Sequence, residues 1–537
     1  MKKCLLFVLL GLIINAGFSQ GKFNFKKEFI KAERAMQIED YETALKSYLT
    51  IFNNDTVNAN VNYKIGWIYF IKMHNHKKAL RHFESAVKDV SPTYLPNTHK
   101  EKKSPPESYN LLAECYHKEL RFQEAIEMFD QYRPFVLDKF EVLQKLDIEK
   151  NYSINAMALV QNPVTIEIHL LSNAVNSEFD DHSPVITADE SMMVFTSRRK
   201  GSTGNIKTRD GKFFEDIYMS KMKDNEWQPA EKISVNINTI EHEASIALSS
   251  DGRELFIYRD DIGVGNIYSS KYIDEIQDWS RPVKLGSNIS TTSNETHASL
   301  SPDGQTLYFT SDRDGGKGGF DIYRVRRLPN GEWGWAENCG DIINTPYDET
   351  GPYMHQDGTT LYFSSKGHNS MGGFDLFSSS LKDDSTFTEP KNLGYPINTI
   401  NDDAFYVLSA DGKRAYYSKE EKGGYGGQDV YMMDLLSLPE RSFVVISGTI
   451  QKESSNEIVQ DLTIEVKDAE TMKVIGKYRP NKNNGSYLIV VERGKKYLVS
   501  PVDSEVEFVK NVFSVPRESS FFYSKQTLPI NPIGVIK

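Results

Sequence analysis

The sequence predicts a multidomain protein: an α-helical solenoid, then an all-β propeller of five blades, then a small β-sandwich. Three observations carry that prediction. A stretch at residues 301–325, SPDGQTLYFTSDRDGGKGGFDIYRV, recurs in five variants between residues 181 and 433. Small and aromatic residues repeat at helical offsets from residue 22 to about 151, and short alternating runs follow residue 443.

Residues 1–19 open with Lys2 and Lys3, run through apolar positions from Leu5 to Ile14 and close on Gly17 and Ser19. That layout is a secretory signal peptide, with cleavage expected after Ser19 to leave Gln20. Cys4 lies among the leading charges and not after the apolar run, so a lipoprotein is not expected. No later segment reaches the ~18 apolar residues of a membrane-spanning helix. The mature chain is therefore expected to be soluble or peripheral, in the periplasm or on the inner face of the outer membrane.

Residues 22–152 form the helical part. Ala32, Ala35, Ala44, Tyr48 and Ile51 recur as Gly66, Tyr69, Ala79, Phe83 and Ala86, and again as Ala113, Tyr116, Ala125, Phe129 and Tyr132. The first and third units share their offsets, and the middle one is a residue longer after Tyr69. Small residues where helices cross, with aromatics between them, are how helix pairs stack into a solenoid. Residues 91–108, with Pro92, Pro96, Pro105 and Pro106, read as a long interrupted loop.

Residues 162–437 carry the propeller. The anchor residues Asp189, Asp251, Asp303, Asp357 and Asp411 stand 62, 52, 54 and 54 apart. Each precedes an alternating run such as Leu307-Tyr308-Phe309-Thr310, a Gly-rich turn and a second run such as Asp321-Ile322-Tyr323, which together read as a hairpin. The connectors add a third strand at Ile233/Val235/Ile237, Leu285/Ile289, Cys339/Ile343 and Leu393/Ile397, and the stretch before each anchor adds a fourth. Four short antiparallel strands per unit make a blade. Residues 164–172 are expected to supply the outer strand of the last blade and close the ring. Five blades is the count, and a sixth would have to lack the motif.

Residues 443–515 alternate as five strands, 443–450, 462–466, 474–478, 487–491 and 496–499, with turns at Asn483-Asn484-Gly485 and Arg493-Gly494, after a boundary at Pro439. That pattern reads as a small sandwich. Residues 516–537 read as a tail.

A net charge of −11 argues against nucleic acid, which needs basic patches. No G-x-S-x-G elbow and no H-E-x-x-H occur, and no cofactor is expected. The turns at Gly315-Gly316-Lys317-Gly318-Gly319, Met371-Gly372-Gly373 and Gly423-Gly424-Tyr425-Gly426-Gly427 join strand to strand, so they are expected as hairpin turns needing positive φ and not as phosphate loops. Cys115 and Cys339 are expected as packed thiols. One constellation goes beyond scaffold: Asp181, Glu243, Glu295, Glu349 and Asp403 stand eight residues before the anchors, each preceded five residues earlier by Asn176, Asn238, Ser290, Asn344 or Asn398. These carboxylates are expected to ring one mouth of the central channel. They either fix the loop that leads into each blade or form an acidic rim that docks a basic partner or a cation. Asp216, Asp321, Asp375 and Asp429, with Asn266 in the second blade, are expected to fix turns.

The helical spacing resembles the tetratricopeptide repeat, in three copies. The SPDG…LYF…GG.GG.DIY pattern resembles the TolB-type, WD-like propeller repeat. The opening Ser447-Gly448-Thr449-Ile450 and the spacing from Gly485-Ser486-Tyr487 to Tyr497 resemble a carboxypeptidase regulatory-like domain. In this order the three are similar to PorE-like Bacteroidetes envelope proteins of the type IX secretion and gliding apparatus. The resemblance implies a non-enzymatic scaffold whose partner is an outer-membrane β-barrel of the PorP/SprF kind. An OmpA-like peptidoglycan-binding domain normally follows; this sequence stops where it would start, so peptidoglycan anchoring is not among the expectations. The other class of function compatible with a propeller is a receptor for a glycan or small ligand in its channel.

Overall fold

A computed structural model describes residues 23–532 apart from 209–210, 262, 422, 438–441, 453–457, 459–461, 482–483, 503–505, 509–511 and 518–524. The expected signal peptide, Pro439 and Asn483 lie outside the described residues. A helical N-terminal part is followed by a large β-rich region, and the chain divides into two compact units, Met1–Ser153 and Ile154–Lys537.

The first unit pairs helices α1 (Phe25–Gln37) with α2 (Tyr41–Phe52), α3 (Ala59–Trp67) with α4 (His76–Ala86), and α5 (Glu107–Lys118) with α6 (Phe122–Tyr132); α7 (Phe140–Val160) runs past the expected boundary at residue 152. Asn24, Asp40, Asn58 and Asn75 cap the first four by accepting the backbone N–H three residues on, which satisfies a donor the helix leaves free. The repeated small residues are the crossing points: Ala32, Ala44, Ala79, Ala113 and Ala125 are fully buried, and a Cβ at Gly66 would meet the Phe83 ring at 2.8 Å. The extra residue of the middle unit is accommodated by a π-helical turn, Ile68–Lys72, the form in which a helix absorbs a one-residue insertion.

In the second unit the repeats form five antiparallel sheets. Their first strands are Asp181–Ile186, Ala244–Leu248, Glu295–Leu300, Glu349–Met354 and Val407–Leu408, each followed by the two strands of a hairpin. The aromatic residues of each hairpin meet across the ladder: Phe309 pairs with Tyr323 and Phe363 with Phe377, rings 5.9 Å apart in both, so cross-strand packing sets the register. Outer strands are shorter than expected and lie earlier. They are two-residue pieces such as Glu337–Asn338 and Lys391–Asn392, and the apolar pairs fall just after them, where Ile233 and Ile237 are buried but Val235 is 89% exposed. Glu167–Leu170, within the segment expected to close the ring, pairs antiparallel with Gln428–Asp434 of the last sheet.

The sheets contact one another in cyclic order. Ser245 N–H donates to Thr196 (2.9 Å), Arg327 pairs with Glu254 (2.9 Å), Met354 N–H donates to Ser299 (2.9 Å), Tyr353 O–H donates to the Leu408 carbonyl (2.7 Å), and Arg414 pairs with Glu190 (2.7 Å). The long first step is explained by the loop between Ser197 and Asp216, which holds an inserted bridge, Lys207 to Phe213.

The five C-terminal strands occur close to their expected bounds, and three more, Val506–Phe508, Val512–Ser514 and Lys525–Pro532, complete two four-stranded sheets. Lys525–Pro532 is therefore not tail: it pairs in parallel with Phe443–Lys452. Val444, Ile446, Ile464, Val466, Ile489 and Val499 form the core between these sheets.

Candidate functional site

Each of the five carboxylates caps the backbone four residues before it. Asp181 accepts the N–H and O–H of Ser177 at 2.6 and 2.7 Å, and Glu295, Glu349 and Asp403 accept the same two groups of Thr291, Thr345 and Thr399 between 2.6 and 2.9 Å. Glu243 does so with Thr239. Asp181, Glu243, Glu295 and Glu349 are fully buried, and Asp403 is half-buried. They stand where the loops enter the sheets: Asp181, Glu295 and Glu349 open their first strands, and Glu243 and Asp403 lie just before theirs.

The amide five residues earlier has the complementary task. Asn344 accepts the N–H of Ile322 at 2.8 Å and donates to its carbonyl at 3.0 Å. Asn238 does this to Ile217, Asn398 to Leu376, and Asn176 to Val430 across the closing junction. The side chain pairs like one more residue of an outer strand, which is why such short outer strands suffice. Ser290, the one exception, reaches only the Ile267 carbonyl, at 3.2 Å.

A third group completes the junction in three sheets. Arg199, Arg259 and Arg313 donate to the carbonyls of Val175, Ile237 and Ile289 and pair with Asp181, Glu243 and Glu295 at 2.6, 3.4 and 3.2 Å. Their guanidiniums also lie over ring faces, such as Tyr218 at 4.6 Å and Phe309 at 4.9 Å. In the fourth sheet His368 takes this place, donating to the Ile343 carbonyl at 3.0 Å beside Phe363 and Phe377. Burial pushes the Glu349 carboxyl up to about 7, and that of Asp403 likewise to about 7. Sequence reasoning missed this guanidinium; the Ser-x-Arg spacing of Ser197/Arg199 and Ser311/Arg313 was the available signal.

The remaining motif residues are also engaged. Asp321 accepts the N–H groups of Lys317 and Gly318 at 2.5 and 3.0 Å, and Asp216, Asp375 and Asp429 accept those of Thr203, Met371 and Tyr425. Anchor residues Asp251, Asp303 and Asp411 each accept a serine hydroxyl and the N–H two residues on. The Gly-rich turns need positive φ only in part. Gly315, Gly373 and Gly423 have it, whereas Gly318 and Gly426 provide room, since a Cβ there would lie 1.8 Å from the Tyr347 carbonyl oxygen and 1.9 Å from that of Phe179. Cys115 is buried and Cys339 is partly so, and burial raises both thiols, Cys339 to about 12.

The first strands of all five sheets line a cavity of about 50 Å³. Its lining includes the residue two places beyond each carboxylate: Ser183, Ser245, His297, Gly351 and Phe405. Phe405 holds φ +61°, unusual for a bulky residue and a mark of imposed strain. Its ring stacks on His297 with centroids 4.2 Å apart, in space left by Gly351, whose Cβ would lie 3.2 Å from it. Burial lowers His297 to about 4, so the imidazole is neutral near pH 7. Beneath the anchor turns Ser250 donates to Gln356 at 2.6 Å, and Ala188 and Ala410 pack on Val445 and Val490 of the C-terminal sheets. The cavity is smaller than the ~150 Å³ that admits a benzene ring.

Among the described residues one group has metal-ligand spacing: Glu167, His169 and Asp434, within 4.8 Å of one another on the closing strand pair. His169 already pairs with Asp434 at 3.0 Å, and both Glu167 and His169 are exposed.

Comparison with known proteins finds no matching family model and no matching curated protein. Among solved structures, a TolB from Acinetobacter baumannii is 15% identical and covers 54% of this chain and 69% of its own, with a TM-score of 0.33. A glycoside hydrolase is 8% identical and covers 53% and 95%, with a TM-score of 0.36. The TPR2B domain of yeast Sti1, in a complex with pHsp70, is 14% identical and covers 23% and 90%, with a TM-score of 0.18. At these scores the fold is taken from the sheet connectivity itself.

Proposed function

We propose that the chain is a non-enzymatic scaffold of the cell envelope, built of tetratricopeptide-like helix pairs, a closed five-bladed propeller and a regulatory-like β-sandwich. One observation carries this reading. The polar residues that recur in every repeat, the carboxylates Asp181, Glu243, Glu295, Glu349 and Asp403 foremost, are engaged by neighbouring backbone and hydroxyl groups, and the first four of these are fully buried. What repeats is the means of holding sheets together, and what varies is the surface they present.

The carboxylates are then fold-fixing groups and not a docking rim. No helix among the described residues is long and apolar enough to cross a membrane. The partner that the PorE-like domain order suggests is an outer-membrane β-barrel of the PorP/SprF kind, met from the periplasmic side. Cross-linking in intact cells followed by affinity capture of the full chain tests this. An outer-membrane β-barrel as the dominant cross-linked species is expected, and capture of soluble periplasmic proteins alone would refute it.

A further inference from the structure

The strand that closes the ring differs from its counterparts. Glu167–Leu170 is four residues long, where outer strands of other sheets, such as Lys391–Asn392, have two. Side chains on one face of a strand recur every second residue, so Glu167 and His169 share a face. The antiparallel register sets Glu167 directly opposite Asp434. The three side chains meet there: His169 Nε2 lies 3.0 Å from Asp434 Oδ2 and 3.9 Å from Glu167 Oε2, and one donor atom of each falls within 4.8 Å of the others.

Two carboxylates directly opposite each other weaken a strand pair, and this pair joins segments far apart in the chain, with 265 positions between His169 and Asp434. In three other sheets a charged outer-strand residue meets an opposite charge: Lys232 pairs with Asp216 at 2.8 Å, Lys284 with Asp261 at 3.0 Å and Glu337 with Arg324 at 3.2 Å. On the closing pair, among the described residues, neither Glu167 nor Asp434 forms an ion pair with a lysine or arginine; each has only His169. Arg414 stands opposite Asp434 on its other side but pairs with Glu190 and Asp411. Charge that holds the outer strand in place elsewhere opposes it here, with one imidazole between the two carboxylates.

We infer that Glu167, His169 and Asp434 form a binding site for a divalent transition-metal cation of the zinc type, which ties the closing strand to the last sheet. A divalent charge turns the repulsion of the two carboxylates into attraction to a common centre. One imidazole nitrogen and two carboxylate oxygens are donors that zinc takes at ~2.0–2.2 Å, and neighbouring donors at that bond length stand ~3 Å apart. The imidazole selects this class of cation over calcium and magnesium, which take oxygen donors. The cation replaces the hydrogen bond between His169 and Asp434, and three protein donors leave a position for water. Glu167 and His169 are exposed, so the cation enters from solvent. A clip that closes so long a loop restricts the unfolded chain more than one closing a short loop, so the gain falls on closure of the ring. This site goes beyond the scaffold reading and does not depend on the partner.

The test uses the untagged full chain, stripped with a chelator and titrated with ZnCl2 by equilibrium dialysis and in urea unfolding. The unaltered chain is expected to hold one more equivalent of zinc than His169→Ala, and Glu167→Gln to weaken that equivalent roughly tenfold or more. Saturating zinc is expected to raise the unfolding midpoint of the unaltered chain's β-rich region and to leave that of His169→Ala unmoved. Both altered side chains are exposed, so both variants are expected to keep the circular dichroism of the unaltered chain; should His169→Ala not fold, Glu167→Gln decides alone. Equal zinc stoichiometry and affinity in all three chains would overturn the proposal, as would binding with no rise in the midpoint, or an equal rise with CaCl2.

Discussion

Asn344 is held by both backbone groups of Ile322, so removing its amide leaves the Ile322 N–H unpaired in a buried place, while the carbonyl keeps the Cys339 N–H at 3.0 Å. Asn344→Ala is expected to cost about 2 kcal/mol or more in urea unfolding. The converse change is available at Ser290, which makes only one of the two bonds. Ser290→Asn is expected to add about 1 kcal/mol, and a loss would show that the amide does not act as a strand mimic. Glu190 is a second instructive residue. Glycine holds positive φ at the equivalent turn position in the other four repeats, at Gly252, Gly304, Gly358 and Gly412, whereas Glu190 does so at φ +53°. Its carboxylate receives Arg414 and the Tyr416 hydroxyl, at 2.7 Å each, across the closing junction. The three-dimensional neighbourhood shows what a glutamate supplies at this turn.

At the scale of the element, the sheets are alike in backbone and unlike in charge. The first three neutralise their buried carboxylate with an arginine, whereas in the fourth His368 makes the carbonyl contact and burial holds the Glu349 carboxyl up near 7. A raised folded-state value means that the folded chain binds more protons than the unfolded chain between the ordinary glutamate value and about 7. Glu349 therefore contributes less to stability as pH rises through that window, by ~1.4 kcal/mol per unit of raised value at most. Glu349→Gln is expected to gain relative to the unaltered chain from pH ~4.5 upward and to level off near 7. The comparison is made as a difference because His297, lowered to about 4, acts in the opposite direction. Parallel stability curves for the two chains from acid to neutral pH would contradict the assignment.

Much of this was legible in the sequence, and the failures have physical causes. Hairpins were found because alternating aromatics mark a strand buried on both faces, and the one-residue excess after Tyr69 was visible before its π-turn. Outer strands were misplaced because two residues have no period to read and because asparagine side chains complete their pairing. Pro529 and Pro532 made a strand look like a tail, since proline argues against interior pairing. The carboxylates were found by spacing, but spacing does not give direction. The first-strand ladders slip between Glu295 and Ala298 and between Thr350 and Tyr353, and it is the residues beyond each carboxylate that reach the cavity.

For the molecule as a whole, the account holds that the repeated polar groups bind the ring together and leave recognition to the variable surfaces. The strand Glu167–Leu170 joins the beginning of the β-rich region to its last sheet, so loosening any one junction is felt around a closed circuit. The most direct test is urea unfolding of the full chain carrying Glu243→Ala and Glu295→Ala, which strips the backbone caps and leaves Arg259 and Arg313 without their carboxylates. The account predicts a loss of about 3 kcal/mol or more, with the β-rich region unfolding first. An unchanged unfolding midpoint, with cross-linking to the proposed envelope partner abolished, would contradict it and return those carboxylates to the binding surface.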